Sequence, residues 1–505
     1  MAELRDALWK AADKLRGATD AAQYKDYVLG LVFLRYAMDG GRWDQLAARA
    51  AGDDIGALLD AAMDEVAAAS PVLDAALPRP FGAGGVDQRR LAGLIALIAG
   101  IPVSAAPRDV LGEAYEYFLE KFARAEGRRG GEFYTPASVV RLLVEMLEPY
   151  AGQVYDPCCG SGGMFVQAEK FVLARGGGAR GGGTAGQGGT GGRGGAAGIA
   201  VYGQESNGRT WRLARMNLAI HGIAGDLGSR CADTFREDVH PGLRADFILA
   251  NPPFNMSDWA RQPGDPRWEY GVPPAGNANF AWLQHIVSKL GPRGTAGVVL
   301  ANGSMSSRQS GEGAIRASLV EAGLVSCVVA LPERLFRSTS IPACLWFLAR
   351  DKGGRRGEVL FIDARALGTL VSRTERVLLP ADIAVIAGTY RAWRGMGAGP
   401  GGPGGRGGPG GRGGPGGENT AGGYADVPGL ARSATLAEIR SRDHVLAPGQ
   451  YVGMPELMVP AGAEPVTERV ERLTKELLAS FEESARLEQA VRDQLAQLAI
   501  PRAEG

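Results

Sequence analysis

Apolar residues recur at three- and four-residue spacing through the first 125 positions, the mark of helices with one buried face. Leu4, Leu8, Ala11, Ala12 and Leu15 fit one such helix. Tyr24, Tyr27, Val28, Leu31, Leu34 and Arg35 carry a second, opened by a capping-box-like pair, Asp20 and Gln23. The Ala-rich stretch 45–70 and the apolar run 91–101 continue the pattern, as does a helix over 109–122 marked by Leu111, Ala114, Tyr115, Phe118, Leu119 and Phe122. No catalytic constellation falls within this region, so packing or partner contact is its expected use.

Beyond residue 150 the period shortens. Apolar runs at 153–156, 199–204, 245–250, 297–301, 324–331, 343–348 and 359–362 read as strands, with helical stretches at 138–147, 164–174 and 207–221 around the first of them. Such alternation argues an α/β domain with a mainly parallel, helix-covered sheet. Two tracts stand apart from it. Residues 176–198 hold 14 glycines in 23 positions and read as a flexible insertion in a surface loop, whereas 395–417 hold 15 in 23 as a GGP/GGR repeat that cannot bury a core. A closing helix over 466–498 places Val466, Val470, Leu473, Leu477, Leu487, Val491 and Leu498 at heptad-compatible positions. A coiled coil with a partner and a fold back onto its own chain are both compatible with that spacing. The expected division is a helical domain over 1–125, an α/β domain over 126–394, a linker over 395–423 and a C-terminal segment over 424–505 with a long helix for subunit contact.

At 505 residues the chain is too long for one typical core. Lys+Arg and Asp+Glu each number 55, so no global positive field draws in nucleic acid; a local patch or a partner must supply any phosphate contacts. Cys158, Cys159, Cys231, Cys327 and Cys344 lack the CxxC spacing of a metal or redox site and read as reduced thiols. With no cationic, apolar segment at the start and no run of 18 apolar residues, a cytoplasmic chain without a membrane span is expected.

Candidate chemistry gathers where strands end. The run Ala245–Ala250 stops in Asn251-Pro252-Pro253-Phe254, and the prolines forbid further ladder hydrogen bonds. Open α/β sheets bind ligands at such strand tips. The Asn251 side-chain carbonyl and the Pro252 backbone carbonyl can both accept from one exocyclic amine, Pro253 stiffens the turn, and Phe254 can stack on the ring bearing the amine. Two acceptors would localise a lone pair that adenine or cytosine otherwise delocalises into the ring, an electrostatic device. Taken alone, the stretch is as readily an ordinary Asn-Pro turn.

Upstream, strand 153–156 breaks at Asp156-Pro157-Cys158-Cys159-Gly160-Ser161-Gly162-Gly163 before a helix, a nucleotide-type cradle. Phe165 stands where the third glycine of G-x-G-x-x-G would fall, which weakens a dinucleotide reading. Glu205 ends the next strand, where an acidic residue takes ribose hydroxyls; it lies 49 residues after Asp156, or 26 once the glycine tract is set aside, against about 20 in the usual spacing. Asp233 either meets the adenine amine or caps Thr234-Phe235. Gly130-Gly131-Glu132-Phe133-Tyr134-Thr135-Pro136 is a loop-to-helix junction. Loop 255–277, with Trp259, Trp268 and Tyr270, is long enough for a lid, its aromatics available for stacking on bases or for a local core.

The order of these motifs is more specific than any one of them. Glu132-Phe133-Tyr134-Thr135-Pro136, then Asp-Pro-x-x-Gly-Ser-Gly-Gly-Met-Phe from Asp156, then Glu205, then Asn251-Pro252-Pro253-Phe254 closely resembles the modification (methyltransferase) subunit of type I restriction-modification systems. Leu8-Trp9-Lys10-Ala11-Ala12-Asp13-Lys14-Leu15-Arg16-Gly17, Gly203-Gln204-Glu205-Ser206-Asn207, Asp265-Pro266-Arg267-Trp268 and Gly276-Asn277-Ala278-Asn279-Phe280-Ala281-Trp282 extend the resemblance. It implies a Rossmann-like class I S-adenosylmethionine-dependent methyltransferase sheet with an N-terminal α-helical domain and a C-terminal helical tail. It further implies that Glu132, Phe133, Tyr134, Thr135, Pro136, Ala137, Asp156, Gly160, Ser161, Gly162 and Gly163 line the cofactor site, with Glu205 on the ribose and Asp233 at the adenine. Asn251, Pro252, Pro253 and Phe254 would hold a flipped adenine in DNA whose N6 receives the methyl group. Target recognition would lie on a separate specificity subunit, with a second methyltransferase subunit and an ATP-dependent restriction subunit as further partners.

Rival readings are a methyltransferase for another planar nitrogen (cytosine N4, an RNA amine or a protein glutamine) and a catalytically idle assembly subunit. The long helical N-terminal region argues against a compact enzyme of the first kind, and the complete Asn-Pro-Pro-Phe and glycine turn argue against the second.

Overall fold

Strand β4 (Ala245–Ala250) ends at the two prolines and lies inside a nine-stranded sheet. The computed structural model describes residues 21–38, 40–52, 54–74, 76–82, 87–99, 107–126, 135–174, 198–336, 341–395, 423–454 and 466–497. Both glycine tracts, Glu132, Phe133, Tyr134, Asp20 and the helix expected over Leu4–Leu15 lie outside these residues, save Gly198 and Gly395 at the tract ends.

The other strands are β1 (Gly152–Asp156), β2 (Ile199–Gly203), β3 (Gly225–Asp226), β5 (Leu290–Ala301), β6 (Val325–Ala330), β7 (Ala343–Ala349), β8 (Glu358–Asp363), a hairpin of β9 (Thr369–Ser372) and β10 (Glu375–Val377), and β11 (Ala431–Thr435). The sheet order is β11-β8-β6-β7-β5-β4-β1-β2-β3. β1 pairs in parallel with β2 and β4, and β4 in parallel with β5. The C-terminal tips of β1, β2 and β4 therefore share one edge, where Asp156, Glu205 and Asn251 follow. β7 runs antiparallel between β5 and β6. Its direction is invisible in the sequence, because a strand covered on both faces is a plain apolar run whichever way it points.

Helices cover both faces. On one side lie α6 (Ala137–Leu147), α7 (Gly163–Ala174), α8 (Gly208–His221) and α11 (Pro380–Trp393); on the other lie α9 (Asn279–Lys289), α10 (Glu312–Glu321) and the short α12 (Leu436–Ser441). The N-terminal region folds as α1 (Ala21–Ala37), α2 (Gly40–Ala48), α3 (Ile55–Ala69), α4 (Gln88–Ala99) and α5 (Pro107–Glu126). α8 joins the two cores. Trp211, Ala214 and Leu218 face the sheet, whereas Leu213, Met216 and Ile220 join the N-terminal core. Apolar stripes on opposite sides make a helix buried all round.

Residues Met1–Gly453 accordingly form one compact unit and Met454–Gly505 a second. This corrects the expected boundary near 423: β11 pairs antiparallel with β8, so the first part of the C-terminal segment completes the sheet. Phe361 and Tyr451 stack with ring centroids 3.8 Å apart, fixing that return. The second unit holds α13 (Val466–Gln497), on which Leu473, Leu477, Phe481, Leu487 and Val491 are exposed.

Candidate active site

The turn after β1 is held by its own polar groups. Asp156 Oδ1 accepts the Cys158 N–H at 2.9 Å, and the Cys159 N–H donates to the Gln204 carbonyl at 2.9 Å, stitching the turn to the end of β2. Gly160 (φ 55°) and Gly162 (φ 80°) adopt left-handed backbone that a side chain would strain. The missing third glycine is explained by β2. A Cβ on Gly203 would lie 3.0 Å from the Phe165 ring, so the room usually left by a helix glycine is left here by a strand glycine.

Glu205 closes the turn. Its Oε2 accepts the Gly160 N–H at 3.1 Å and its Oε1 the Asn207 N–H at 2.7 Å. Asn207 then caps α8, accepting from the Arg209 and Thr210 N–H groups, and Asn217 donates to the Ser161 carbonyl at 2.9 Å. The Gly-Gln-Glu-Ser-Asn motif is therefore a strand end, a carboxylate clamp and a helix cap in succession.

Asn251 meets the other junction. Its Nδ2 donates to Thr135 Oγ1 at 2.8 Å, next to Pro136 and Ala137 at the start of α6, and its Oδ1 is buried with no hydrogen-bond partner. A buried amide oxygen with no donor is costly unless a ligand supplies one. The following turn is pinned from α9: Asn279 Oδ1 accepts the Asn255 N–H at 3.1 Å, and Asn279 Nδ2 donates to Asn255 Oδ1 at 2.8 Å, which holds Asn255 at φ 54°. Pro252 is buried, Pro253 is partly buried, and the Phe254 ring sits edge-on to Phe336, centroids 5.9 Å apart.

An open cleft runs between these parts. Thr135, Ala137, Asp156, Gly160, Ser161, Gly163 and Asn251 line it together, joined by Cys158, Cys159, Met164 and Gln167. Lys25, Glu116 and Leu119 of the N-terminal helices also line it, a contribution that no motif in the sequence announces. Lys25 lacks any surrounding motif; only the fold brings it there. Burial raises the Asp156 carboxyl to about 7 and pushes both Cys158 and Cys159 thiols well above their ordinary value, so the cysteines are packing groups here rather than nucleophiles.

Asp233 is not among the cleft-lining residues. Its Oδ1 accepts the Phe235 and Arg236 N–H groups at 2.8 and 3.1 Å, the capping alternative. Nor is loop 255–277 a lid of free aromatics. Trp259, Trp268 and Trp282 close on Phe235 as a small buried core, because large rings gain more from desolvation together than from exposure. Arg267 braces it, bonded to both Asp265 oxygens, to the Thr234 and Phe235 carbonyls and to His285 Nδ1 at 3.0 Å. A guanidinium only donates, so Nδ1 accepts and the proton sits on Nε2, directed to Tyr155 Oη at 3.1 Å. Burial holds His285 neutral, at about 3.

The chain matches the N-6 DNA Methylase family over residues 106–458 and the HsdM N-terminal domain family over residues 4–40. It is 43% identical over 450 residues to the Type I restriction enzyme HindI methylase subunit of Haemophilus influenzae, across 87% of this chain and 91% of that protein. The chain belongs to the type I restriction enzyme methylase subunits. The MjaIX methylase subunit of Methanocaldococcus jannaschii is 31% identical over 551 residues, across 97% of this chain and 90% of its own. Among solved structures, the type I restriction-modification methyltransferase subunit from Streptococcus thermophilus shares the fold with a TM-score of 0.65 and 24% identity, covering 89% of this chain and 99% of its own. As a type I methylase subunit, this chain is an adenine-specific DNA methyltransferase that uses S-adenosylmethionine.

The residues present fit that cofactor. Left-handed glycines bring the backbone and the N-terminus of α7 to the cleft, Glu205 borders the turn, and Asn251 Oδ1 waits for a donor beside Asp156 on the neighbouring strand end. Among the described residues no helix is long and apolar enough to cross a membrane.

Proposed function

We propose that Asn251, Pro252, Pro253 and Phe254 hold an adenine extruded from DNA while Thr135, Pro136, Ala137, Asp156, Gly160, Ser161, Gly162, Gly163 and Glu205 seat the cofactor, with Glu132, Phe133 and Tyr134 completing that seat. The observation that carries this reading is the buried, unpartnered Asn251 Oδ1 in the same cleft as Gly160 and Asp156. Thr135 fixes the amide by taking its Nδ2–H, which leaves Oδ1 for the N6 amine. The Pro252 carbonyl accepts the second N6 hydrogen. Together they draw electron density onto N6 without a titrating base. Phe254, braced by Phe336, is the aromatic that stacks on the base. When bound, S-adenosylmethionine would supply the methyl group from its sulfonium, the C–S bond breaking to leave a neutral thioether while N6 gives up one proton to water as the N–C bond forms. Asp156, once ionised, balances the cofactor's positive charge, and Glu205 accepts from the ribose hydroxyls while retaining the turn. Asp233 is assigned to the cofactor adenine through the carboxylate oxygen that does not cap the turn.

The partners we assign are DNA, a specificity subunit that reads the target, a second methyltransferase subunit and an ATP-dependent restriction subunit. A net charge of zero supports a chain that does not grip DNA unaided, and the exposed Leu473, Leu477, Leu487 and Val491 of α13 support subunit contact through that helix. The test is radiolabelled methyl transfer to DNA by the complex reconstituted with its specificity subunit. Asn251→Ala should abolish transfer and leave cofactor affinity within a few-fold of wild type; unchanged turnover refutes the assignment.

A further inference from the structure

The N-terminal helices build part of the cofactor cleft. α1 contributes Lys25 and α5 contributes Glu116 and Leu119. Among the described residues that line the cleft, Lys25 is the one cation, beside two carboxylates, Asp156 and Glu116. Glu116 is engaged by Lys170 of α7. S-adenosylmethionine presents the complementary set: a sulfonium and an ammonium, which a carboxylate suits, and one carboxylate, which needs a cation.

Placement supports the match. Asp26, next to Lys25, lies 4.0 Å from Arg209 in the first turn of α8, the turn that directly follows Glu205 and Asn207. Farther along α1, Tyr36 Oη donates to the Ala219 carbonyl near the other end of α8 at 3.0 Å. α1 is thus fastened along α8 at two points. Its Lys25 end is carried to the same edge of the sheet as the strand tips. Lys25 itself is half-buried, so a charge pair formed there is screened less than one at the surface.

We propose that Lys25 binds the carboxylate of the cofactor's amino-acid moiety, so that the N-terminal helical region completes the cofactor site rather than merely packing beside it. The proposal rests on the reading that S-adenosylmethionine occupies this cleft. It adds a consequence: cofactor binding and the docking of α1 and α5 against α7 and α8 strengthen one another reciprocally.

The experiment is calorimetric titration of the full-length chain, as wild type and as Lys25→Ala, Lys25→Gln and Lys25→Arg, with S-adenosylmethionine and with methylthioadenosine, which keeps the adenosine and sulfur but lacks the amino-acid moiety. Loss of a charged hydrogen bond predicts about tenfold or greater weakening for S-adenosylmethionine in the Ala and Gln variants. Affinity for methylthioadenosine should be unchanged, and Arg should recover most of the loss. Equal weakening for both ligands would show that Lys25 only supports the helix packing, and no weakening for either would place it outside the site; each overturns the proposal. A changed DNA affinity with cofactor affinity intact would assign Lys25 to the nucleic acid and overturns it as well. If wild type binds neither ligand, the occupancy of the cleft is what fails, and the proposal falls with it. Lys25→Gln keeps nearly the same length and apolar stem, so a poorly folded Ala variant does not remove the test.

Discussion

Asp156 lets the electrostatics of the cleft be tested directly. Burial raises its carboxyl from the ordinary 3.8 to about 7. The span is roughly three pH units, worth about 4 kcal/mol at ~1.4 kcal/mol each. Because the folded-state value is raised, the stability this group contributes is fully present below 3.8 and is lost as pH rises through 7. Ligand binding has the matching sign. A cationic cofactor favours the carboxylate, so below pH 7 binding must expel the proton that Asp156 holds, and apparent affinity should fall by up to about tenfold per pH unit there. Asp156→Asn keeps the volume and the acceptor for the Cys158 N–H, 2.9 Å away, but cannot ionise. The expected outcome is an unliganded variant more stable than wild type at about pH 8, by at most about 4 kcal/mol, with weaker cofactor binding that no longer follows this titration. Thermal melting reads the first effect. Calorimetric titration of both proteins from about pH 5.5 to about pH 8.5 reads the second, and the difference between them cancels the ligand's own titration. A wild-type affinity that is flat across that range, or an Asn variant with an identical profile, refutes the reasoning.

Deleting 176–198 should leave cofactor affinity near wild type, because loop-closure entropy changes slowly with length; a large loss in equilibrium binding would show that the tract takes part in the site. Gly203→Ala puts a methyl 2.6 Å from Leu227 Cδ2 and 3.0 Å from the Phe165 ring, so denaturant unfolding should report about 1–3 kcal/mol of destabilisation, and wild-type stability would show that this strand does not provide the room for Phe165.

Much of the site was legible because its chemistry is local. The turn from Asp156 to Gly163 needs left-handed backbone, and glycine supplies it at Gly160 and Gly162. Asn251-Pro252-Pro253 stops a strand because proline lacks the N–H, a property of the residue and not of its surroundings. Two readings stayed open for the complementary reason. Trp259 and Trp268 were compatible with a stacking lid or a local core, and the neighbours that decide, Phe235 and Trp282, come from elsewhere in the chain; Asp233 caps its own turn through one oxygen, which leaves the other for the ligand reading.

The sequence by itself determined the succession of helices and strands, the strand tips that carry the motifs, and the family whose motif order they follow, since spacing and residue chemistry act within a few positions. Tertiary structure decided the rest. The antiparallel insertion of β7, the return of β11 to the sheet, the coupling of Thr135 to Asn251 across 116 residues, and the arrival of Lys25 at the cleft all depend on which distant surfaces meet. Such meetings are fixed by burying apolar faces against one another, and an apolar face on β7 or α8 announces that it must be covered without naming what covers it.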